Sequence, residues 1–236
     1  MNKKIVTYAF RQSLPVTCSY LFVSFAYGIM MQESGFGAGW SLLTSLTVYT
    51  GAFQFVLVTF LSSGASYLTI ALTALFMNSR QTFYGLSFTE DFPKMGKKQL
   101  YMIHTMTDET YALNCSFKQK IATEEILEDD ENRRNMMFYV ALFARISWMI
   151  GAVAGGMIGQ LLPFELEGID FCMTALFVVI FLDQWKAYKS HIPALLGVIS
   201  GTVLLLILGA DRFMLPTLIF VSGILIILRR RLEQHE

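Results

Sequence analysis

Apolar residues gather in seven long runs, most of them close to the roughly 20 residues that a helix needs to cross a membrane. A segment that is apolar on all sides suits a membrane span better than a surface helix. The pattern therefore predicts an all-α polytopic membrane protein, a helical bundle of about seven spans. The runs are 14–31, 40–61, 65–88, 136–161, 169–185, 191–209 and 213–228.

One long polar stretch, 89–135, interrupts this pattern. It divides a single membrane domain, 1–236, into a first helical group at 14–88 and a second at 136–228. We expect 89–135 to be a cytoplasmic linker, with one amphipathic helix over 99–116.

Lysine and arginine near the ends of the runs predict the orientation, because cytoplasmic loops are rich in them. With 89–135 in the cytoplasm, the basic residues of 186–190 and 229–231 are cytoplasmic too, and so is the C-terminus. Three spans before the linker then place the basic N-terminal tail outside. A cytoplasmic N-terminus requires one of those three runs to be re-entrant, and the N-terminal side stays open.

A weak internal repeat accompanies the odd number of spans. At a shift of 128 residues, identical residues coincide four times: Ala26, Gly28, Gln32 and Phe36 fall on Ala154, Gly156, Gln160 and Phe164. A three-helix unit repeated once must be inverted, a plan common among secondary transporters. So few identities leave a repeat and a coincidence equally open.

Glycines spaced by four residues, Gly151, Gly155 and Gly159, allow a close approach of another helix. The partner is either a helix of the same bundle or a second subunit.

Polar residues and glycine break the stretch 40–88 at two places, Tyr49–Phe55 and Asn78–Gln81. Polar groups at membrane depth cost several kcal/mol unless they find protein partners or water. Gly51 allows a helix to unwind and free its backbone groups for a ligand, and Gln54 adds an amide. The alternative is a kinked helix in which Gln54 bonds a neighbour.

Three charged positions have two interpretations each. Arg80 either binds a carboxylate or extends its side chain to the membrane surface. Asp108 and Glu109 form either a solvated helix face or a proton-linked gate. For Arg145 we expect a position at the cytoplasmic edge, with its side chain extended to the surface.

Catalysis has little support in the sequence. It contains neither an HExxH zinc pattern, a GxSxG nucleophile turn, a Walker A sequence nor a dinucleotide-binding glycine pattern. We therefore expect no enzyme activity, no catalytic residue, no metal site and no cofactor. With a formal net charge of zero, nucleic acid is not an expected partner.

An ordered set of motifs resembles the AzlC family, the large subunit of bacterial branched-chain amino acid permeases and exporters. The resemblance runs from about residue 13 to 225. The motifs are Ser13-Leu14-Pro15, Phe25-Ala26-Tyr27-Gly28, Tyr49-Thr50-Gly51-Ala52-Phe53-Gln54-Phe55, Met77-Asn78-Ser79-Arg80 with Tyr84-Gly85, Thr107-Asp108-Glu109 with Tyr111, and Ile169-Asp170-Phe171 running to Leu176-Phe177.

The resemblance implies a multi-pass protein of the bacterial cytoplasmic (inner) membrane that exports valine, leucine or isoleucine. It also implies a partner, a small AzlD-type membrane subunit. Family members often carry a histidine directly after the arginine of the third-run motif, where this chain has Gln81. A proton-coupling role for that position is therefore in doubt here.

The substrate class that the resemblance implies suggests roles for the residues at the breaks. Backbone near Gly51 and the Arg80 side chain would meet the carboxylate, while Gln54 and Asn78 would meet the ammonium group. Tyr49 would shape the apolar part, Tyr84 completes the substrate contacts, and Asp108 and Glu109 are candidates for coupling or gating. An uncoupled amino acid channel or facilitator and a non-transporting membrane scaffold subunit remain alternatives.

Overall fold

The fold is described from a computed structural model. It covers residues 3–119, 126, 129–161, 178, 181, 182, 185, 186, 190–209 and 213–232. These residues belong to two compact units. The first contains the described residues up to Thr59 and those from Asn78 to 161, and the second contains Phe60–Met77 and the described residues from 178 onward.

All regular structure in the described residues is helical, which confirms the all-α prediction. Most of the predicted run 169–185 lies outside the described residues. The α-helices are α1 (Lys3–Glu33), α2 (Ala38–Thr47), α3 (Gly51–Ser63), α4 (Tyr67–Leu86), α5 (Lys98–His104), α6 (Asp108–Gln119), α7 (Asp130–Gly159), α8 (Ile192–Leu208) and α9 (Met214–Leu232).

Within the described residues, α1 and α7 are long and apolar enough to cross a membrane. Several other helical segments are apolar but shorter, namely Gly51–Ser63, Tyr67–Ser79, Ile192–Leu208 and Pro216–Leu228. The span count predicted from the sequence stays a prediction.

Helices α1 and α7 form the central pair of the first unit, and glycines bring their backbones into contact. A Cβ atom on Gly155 would lie 2.0 Å from the Phe25 carbonyl oxygen, and one on Gly28 would lie 2.1 Å from that of Ala152. Neither position has room for a side chain. The predicted glycine stripe of α7 thus packs inside the unit, against α1.

The two helices run in the same direction. Gly151 lies against Ser24, Gly155 against Phe25, and Gln160 donates a hydrogen bond of 3.2 Å to Gln32 further along both helices. In these contacts, the residue of α7 thus follows its partner in α1 by about the shift of the internal repeat. An inverted repeat would make these segments antiparallel, so the inverted relation predicted for them is wrong.

Parallel spans begin on the same side of a membrane. The predicted arrangement, with the N-terminus outside and α7 starting in the cytoplasm, requires α1 and α7 to be antiparallel. The structure instead fits the alternative with a re-entrant segment between them. That alternative also puts the basic residues at the starts of α1 and α7, such as Lys4 and Arg134, on one side, as the positive-inside rule expects.

The segment α2 and α3 has the form of a re-entrant hairpin. Helix α2 starts where Ala38 touches Gly156 and ends where the Leu46 carbonyl meets Arg145, midway along α7. Helix α3 starts beside Trp148 and turns back, so that Phe55 packs on Tyr27 at a ring distance of 5.7 Å. With 10 and 13 residues, both helices are shorter than a span.

A second hairpin, α5 and α6, enters from the other end of the pair. Lys98 donates to Asn135 near the start of α7 (2.9 Å), whereas His104 reaches Leu46 at the middle. Helix α6 then returns, so that Phe117 packs on Tyr8 near the start of α1. The single amphipathic helix expected over 99–116 is therefore wrong: the segment is two helices with a break at Thr105–Thr107.

The part of α4 in the first unit runs toward the starts of α1 and α7. Asn78 bonds Thr50 beside the break between α2 and α3. Phe88, just beyond the helix, is fully buried in a core with Ile5 and Met136.

In the second unit, α8 and α9 pack against each other. A Cβ on Gly201 would lie 3.8 Å from Thr217, which is an ordinary contact. Before α8, the ring of Trp185 stacks on His191 at 3.9 Å.

The glycine packing of α1 on α7 predicts an asymmetric response to added methyl groups. We expect Gly155→Ala to lower the free energy of unfolding by about 1–3 kcal/mol, because the new Cβ collides with backbone. The control is Gly197→Ala in α8, where no described atom lies within 4 Å of the new Cβ. It should gain about 0.5–1 kcal/mol from helix propensity. Unfolding in detergent measures both, and equal effects would contradict the packing.

The parallel pair also predicts the sidedness of its ends. In a chain whose native cysteines are replaced by serine, Lys4→Cys and Lys97→Cys should react with an impermeant thiol reagent from one side, and Glu33→Cys from the other. Labelling of intact cells and of inverted vesicles measures this. Reaction of Lys4→Cys and Lys97→Cys from opposite sides would refute the parallel arrangement.

Candidate functional site

Two breaks in helical structure meet beside the middle of α1 and α7. One is Val48–Thr50, between α2 and α3, and the other is Thr105–Thr107, between α5 and α6. Helix ends leave backbone N–H and C=O groups without helical partners. The hairpins thus bring several such groups to the centre of an apolar unit, where a ligand can use them.

The Leu46 carbonyl joins both hairpins to α7. It accepts hydrogen bonds from Arg145 Nη2 (2.7 Å) and from His104 Nε2 (3.2 Å). Leu46 is in the last turn of α2, the negative end of the helix dipole, which favours a cation. The Arg145 guanidinium carbon also lies 5.5 Å from the Tyr49 ring centre and 5.4 Å from that of Tyr101.

Tyr20 of α1 joins the second hairpin. Its hydroxyl oxygen lies 2.6 Å from both Thr107 Oγ1 and Glu109 Oε2. A carboxylate only accepts hydrogen bonds, so the Tyr20 hydroxyl is the donor in its hydrogen bond with Glu109. Glu109 is exposed, while Thr107 is buried in the break. The contact therefore links a buried network to an accessible carboxylate.

Trp148 of α7 is the aromatic centre of the site. Its ring lies 5.3 Å from that of Tyr20, 6.5 Å from Tyr27 and 6.5 Å from Tyr49, measured between centroids. A Cβ on Gly51 would come within 3.0 Å of Trp148 Cη2. Gly51 is the first residue of α3 rather than an unwound position, and its missing side chain admits the tryptophan.

Gln54 lies one turn into α3 and is completely buried. Neither its amide nitrogen nor its amide oxygen has a hydrogen-bond partner among the described residues. The neighbour that the alternative of a kinked helix requires for Gln54 is thus not found among the described residues. Leaving a buried amide unpaired costs about 1–3 kcal/mol, which a polar ligand would recover.

The other predicted substrate contacts divide into two groups. Tyr49 and Asn78 belong to the first break, where Thr50 Oγ1 donates to Asn78 Oδ1 (2.7 Å). Tyr84 of α4 contacts the second hairpin: its hydroxyl donates to Asp108 Oδ1 (2.9 Å) and its ring stacks on Tyr111 at 4.5 Å. The side chain of Arg80 lies outside the described part of the structure.

Sequence reasoning missed four residues that the structure brings together: Tyr20, His104, Arg145 and Trp148. The expectation that Arg145 extends to the membrane surface is wrong, because its guanidinium bonds Leu46 midway along α7. That expectation rested on a span beginning near Ala141, whereas α7 begins at Asp130. An arginine halfway along an apolar helix was the available signal.

Comparison with known proteins places this architecture in a family. The family described as "AzlC protein" matches residues 15–162, which include both hairpins, α7 and most of α1. No solved structure matches the chain.

Individual relatives match over nearly the whole length. The Bacillus subtilis "Branched-chain amino acid transport protein AzlC" is 34% identical over 97% of this chain and 87% of its own. An uncharacterized membrane protein of Haemophilus influenzae is 38% identical over 96% of this chain and 89% of its own. The Escherichia coli "Inner membrane protein YgaZ" is 30% identical over 82% and 80%, respectively. On the strength of these matches, the chain belongs to the AzlC family of membrane proteins.

Proposed function

We propose that this chain is a secondary transporter that exports branched-chain amino acids across the bacterial cytoplasmic membrane, together with a small AzlD-type membrane subunit. The substrate class comes from the name of the Bacillus subtilis relative, which matches almost the entire chain. The observation that best supports a site here is the buried amide of Gln54, which lies beside a helix break and has no hydrogen-bond partner among the described residues.

The first break offers the contacts that an aliphatic amino acid needs. The first N–H groups of α3 have no helical acceptors, and the positive end of the helix dipole favours a carboxylate there. Gln54 adds a donor and an acceptor. The rings of Tyr27 and Phe55, packed on each other, supply an apolar wall for a branched side chain. Asn78 fixes the break through its bond with Thr50.

The opposed hairpins suit alternating access to such a site. Each enters from one end of the α1–α7 pair and stops at the middle, so each covers one approach to the centre. The bond from His104 to Leu46 holds the two hairpins together, and the bond between Tyr20 and Thr107 holds the second hairpin to α1. Loosening one hairpin while the other stays packed opens the centre to one side only, as alternating access requires.

The predicted gating pair takes a defined place in this mechanism. Asp108 and Glu109 form the first turn of α6 and accept hydrogen bonds from Tyr84 and Tyr20. Protonation of either carboxyl would weaken the hydrogen bond that it accepts from its tyrosine, and so loosen the second hairpin from α4 or α1. The contacts therefore support a role in coupling or gating. Arg80 remains a predicted carboxylate contact, and the C-terminus remains predicted to be cytoplasmic.

Transport is tested by counterflow into proteoliposomes that contain the full chain, with and without the small subunit. We expect labelled valine, leucine and isoleucine to exchange and charged amino acids not to exchange. Exchange that ignores an imposed pH step would favour the uncoupled facilitator. If valine neither binds nor exchanges even with the subunit present, the chain is a scaffold and the proposal fails.

Gln54→Met separates the role of the amide in binding from its effect on stability. Methionine has a similar volume without the unpaired polar atoms, so we expect an unchanged or higher free energy of unfolding, by up to about 1–2 kcal/mol. Valine counterflow should nevertheless fall about tenfold. The control is Gln32→Met. It removes an amide at the far end of α1, whose hydrogen-bond partner is Gln160 at the end of α7. Full transport by Gln54→Met would remove this residue from the site.

A further inference from the structure

Arg145 carries a positive charge halfway along an apolar helix that is long enough to cross a membrane. Its observed contacts are a backbone carbonyl and two tyrosine rings. No carboxylate among the described residues lies within 4 Å of it; the ion pairs found there involve Asp91 and Asp130, near the start of α7. Among the described residues, the charge at the centre thus meets only dipoles and ring faces.

Such a charge is costly at membrane depth and usually marks a substrate pathway. The end of α2 and the tyrosine faces offset part of that cost. A guanidinium has five N–H donors in a planar fork, and the Leu46 carbonyl accepts from one nitrogen, Nη2. The remaining edge suits the two oxygens of a carboxylate, which a lysine would hold less specifically.

A negative charge, that of Glu109, borders the group of aromatic rings formed by Tyr49, Trp148 and Tyr20. Glu109 is exposed and is positioned by Tyr20. From Tyr20 the ring contacts continue through Trp148 to Tyr49, whose face Arg145 covers. Arg145 and Glu109 therefore border one and the same group of aromatic rings, Arg145 at Tyr49 and Glu109 at Tyr20.

We propose that Arg145 and Glu109 form a binding site for the zwitterionic head of the substrate. Arg145 binds the α-carboxylate and Glu109 the α-ammonium group, with Tyr49 and Trp148 as the surface between them. This inference rests on the proposed function and assigns the two charges of its substrate. Within that function, it assigns the carboxylate to Arg145 instead of to Arg80 or the start of α3.

Capping of α2 is a purely structural use of Arg145, and substrate analogues separate the two roles. Valinamide keeps the ammonium group and side chain of valine but has no carboxylate. Isovalerate keeps the carboxylate and side chain but has no ammonium group. A capping role changes the affinity for all three ligands by the same factor, whereas a binding role changes it only for ligands that carry the missing partner.

The experiment measures inhibition of labelled leucine counterflow by valine, valinamide and isovalerate, in proteoliposomes of the full chain with its subunit. The variants are Arg145→Gln, Arg145→Lys and Glu109→Gln. The control is Arg134→Gln, which removes an arginine near the start of α7. Hydrogen bonds to charged groups are worth about 1.5–3 kcal/mol, so we expect wild type to prefer valine over either analogue by about tenfold or more.

Arg145→Gln should abolish the preference for valine over valinamide and keep the preference for valine over isovalerate. Glu109→Gln should do the reverse, and Arg134→Gln should keep both. Arg145→Lys, which retains the charge, should keep an intermediate preference and provides the readout if Arg145→Gln does not reach the membrane. Wild-type preferences retained in the Arg145 and Glu109 variants overturn the inference, even if absolute rates fall. A wild type without leucine counterflow overturns the proposed function itself.

Discussion

The backbone contact between α1 and α7 is the constraint on which the rest of the first unit depends. Glycines let the helices touch along their length, and the parallel direction fixes which residues are level with each other. Tyr20 and Trp148 meet because of that register, and so do Gln32 and Gln160. Parallel neighbours also oblige the chain to return to its starting end before α7, and the connecting segments supply both half-length hairpins.

Local patterns predicted the helical class and the importance of the first break. Gly51 and Gln54 stood out because a glycine and an amide are unusual within an apolar run, and the structure gives each a specific environment. Such residues can be recognised from a single stretch of sequence, because a polar side chain within an apolar run is costly to bury and therefore needs a specific environment.

Long-range relations were beyond those patterns. The bond from Tyr20 to Thr107 joins residues 87 positions apart, and nothing local to Thr105–Thr107 distinguishes a hairpin tip from a solvated linker. Likewise, matching residues at a fixed shift show that two segments are similar, but not whether they run parallel or antiparallel. Arg145 was misplaced for a related reason: its depth depends on where α7 begins, and that helix continues into the polar stretch.

The acceptor at the centre of the two hairpins is a main-chain oxygen. Because every amino acid at position 46 carries the same carbonyl, mutation of that residue cannot delete the acceptor, and the side chain there is free to vary with its lipid or protein surroundings. The donors have no such protection: Arg145 and His104 each lose the bond through a single codon change. Across homologous chains, sequence drift should therefore be tolerated at the acceptor position and resisted at the two donors.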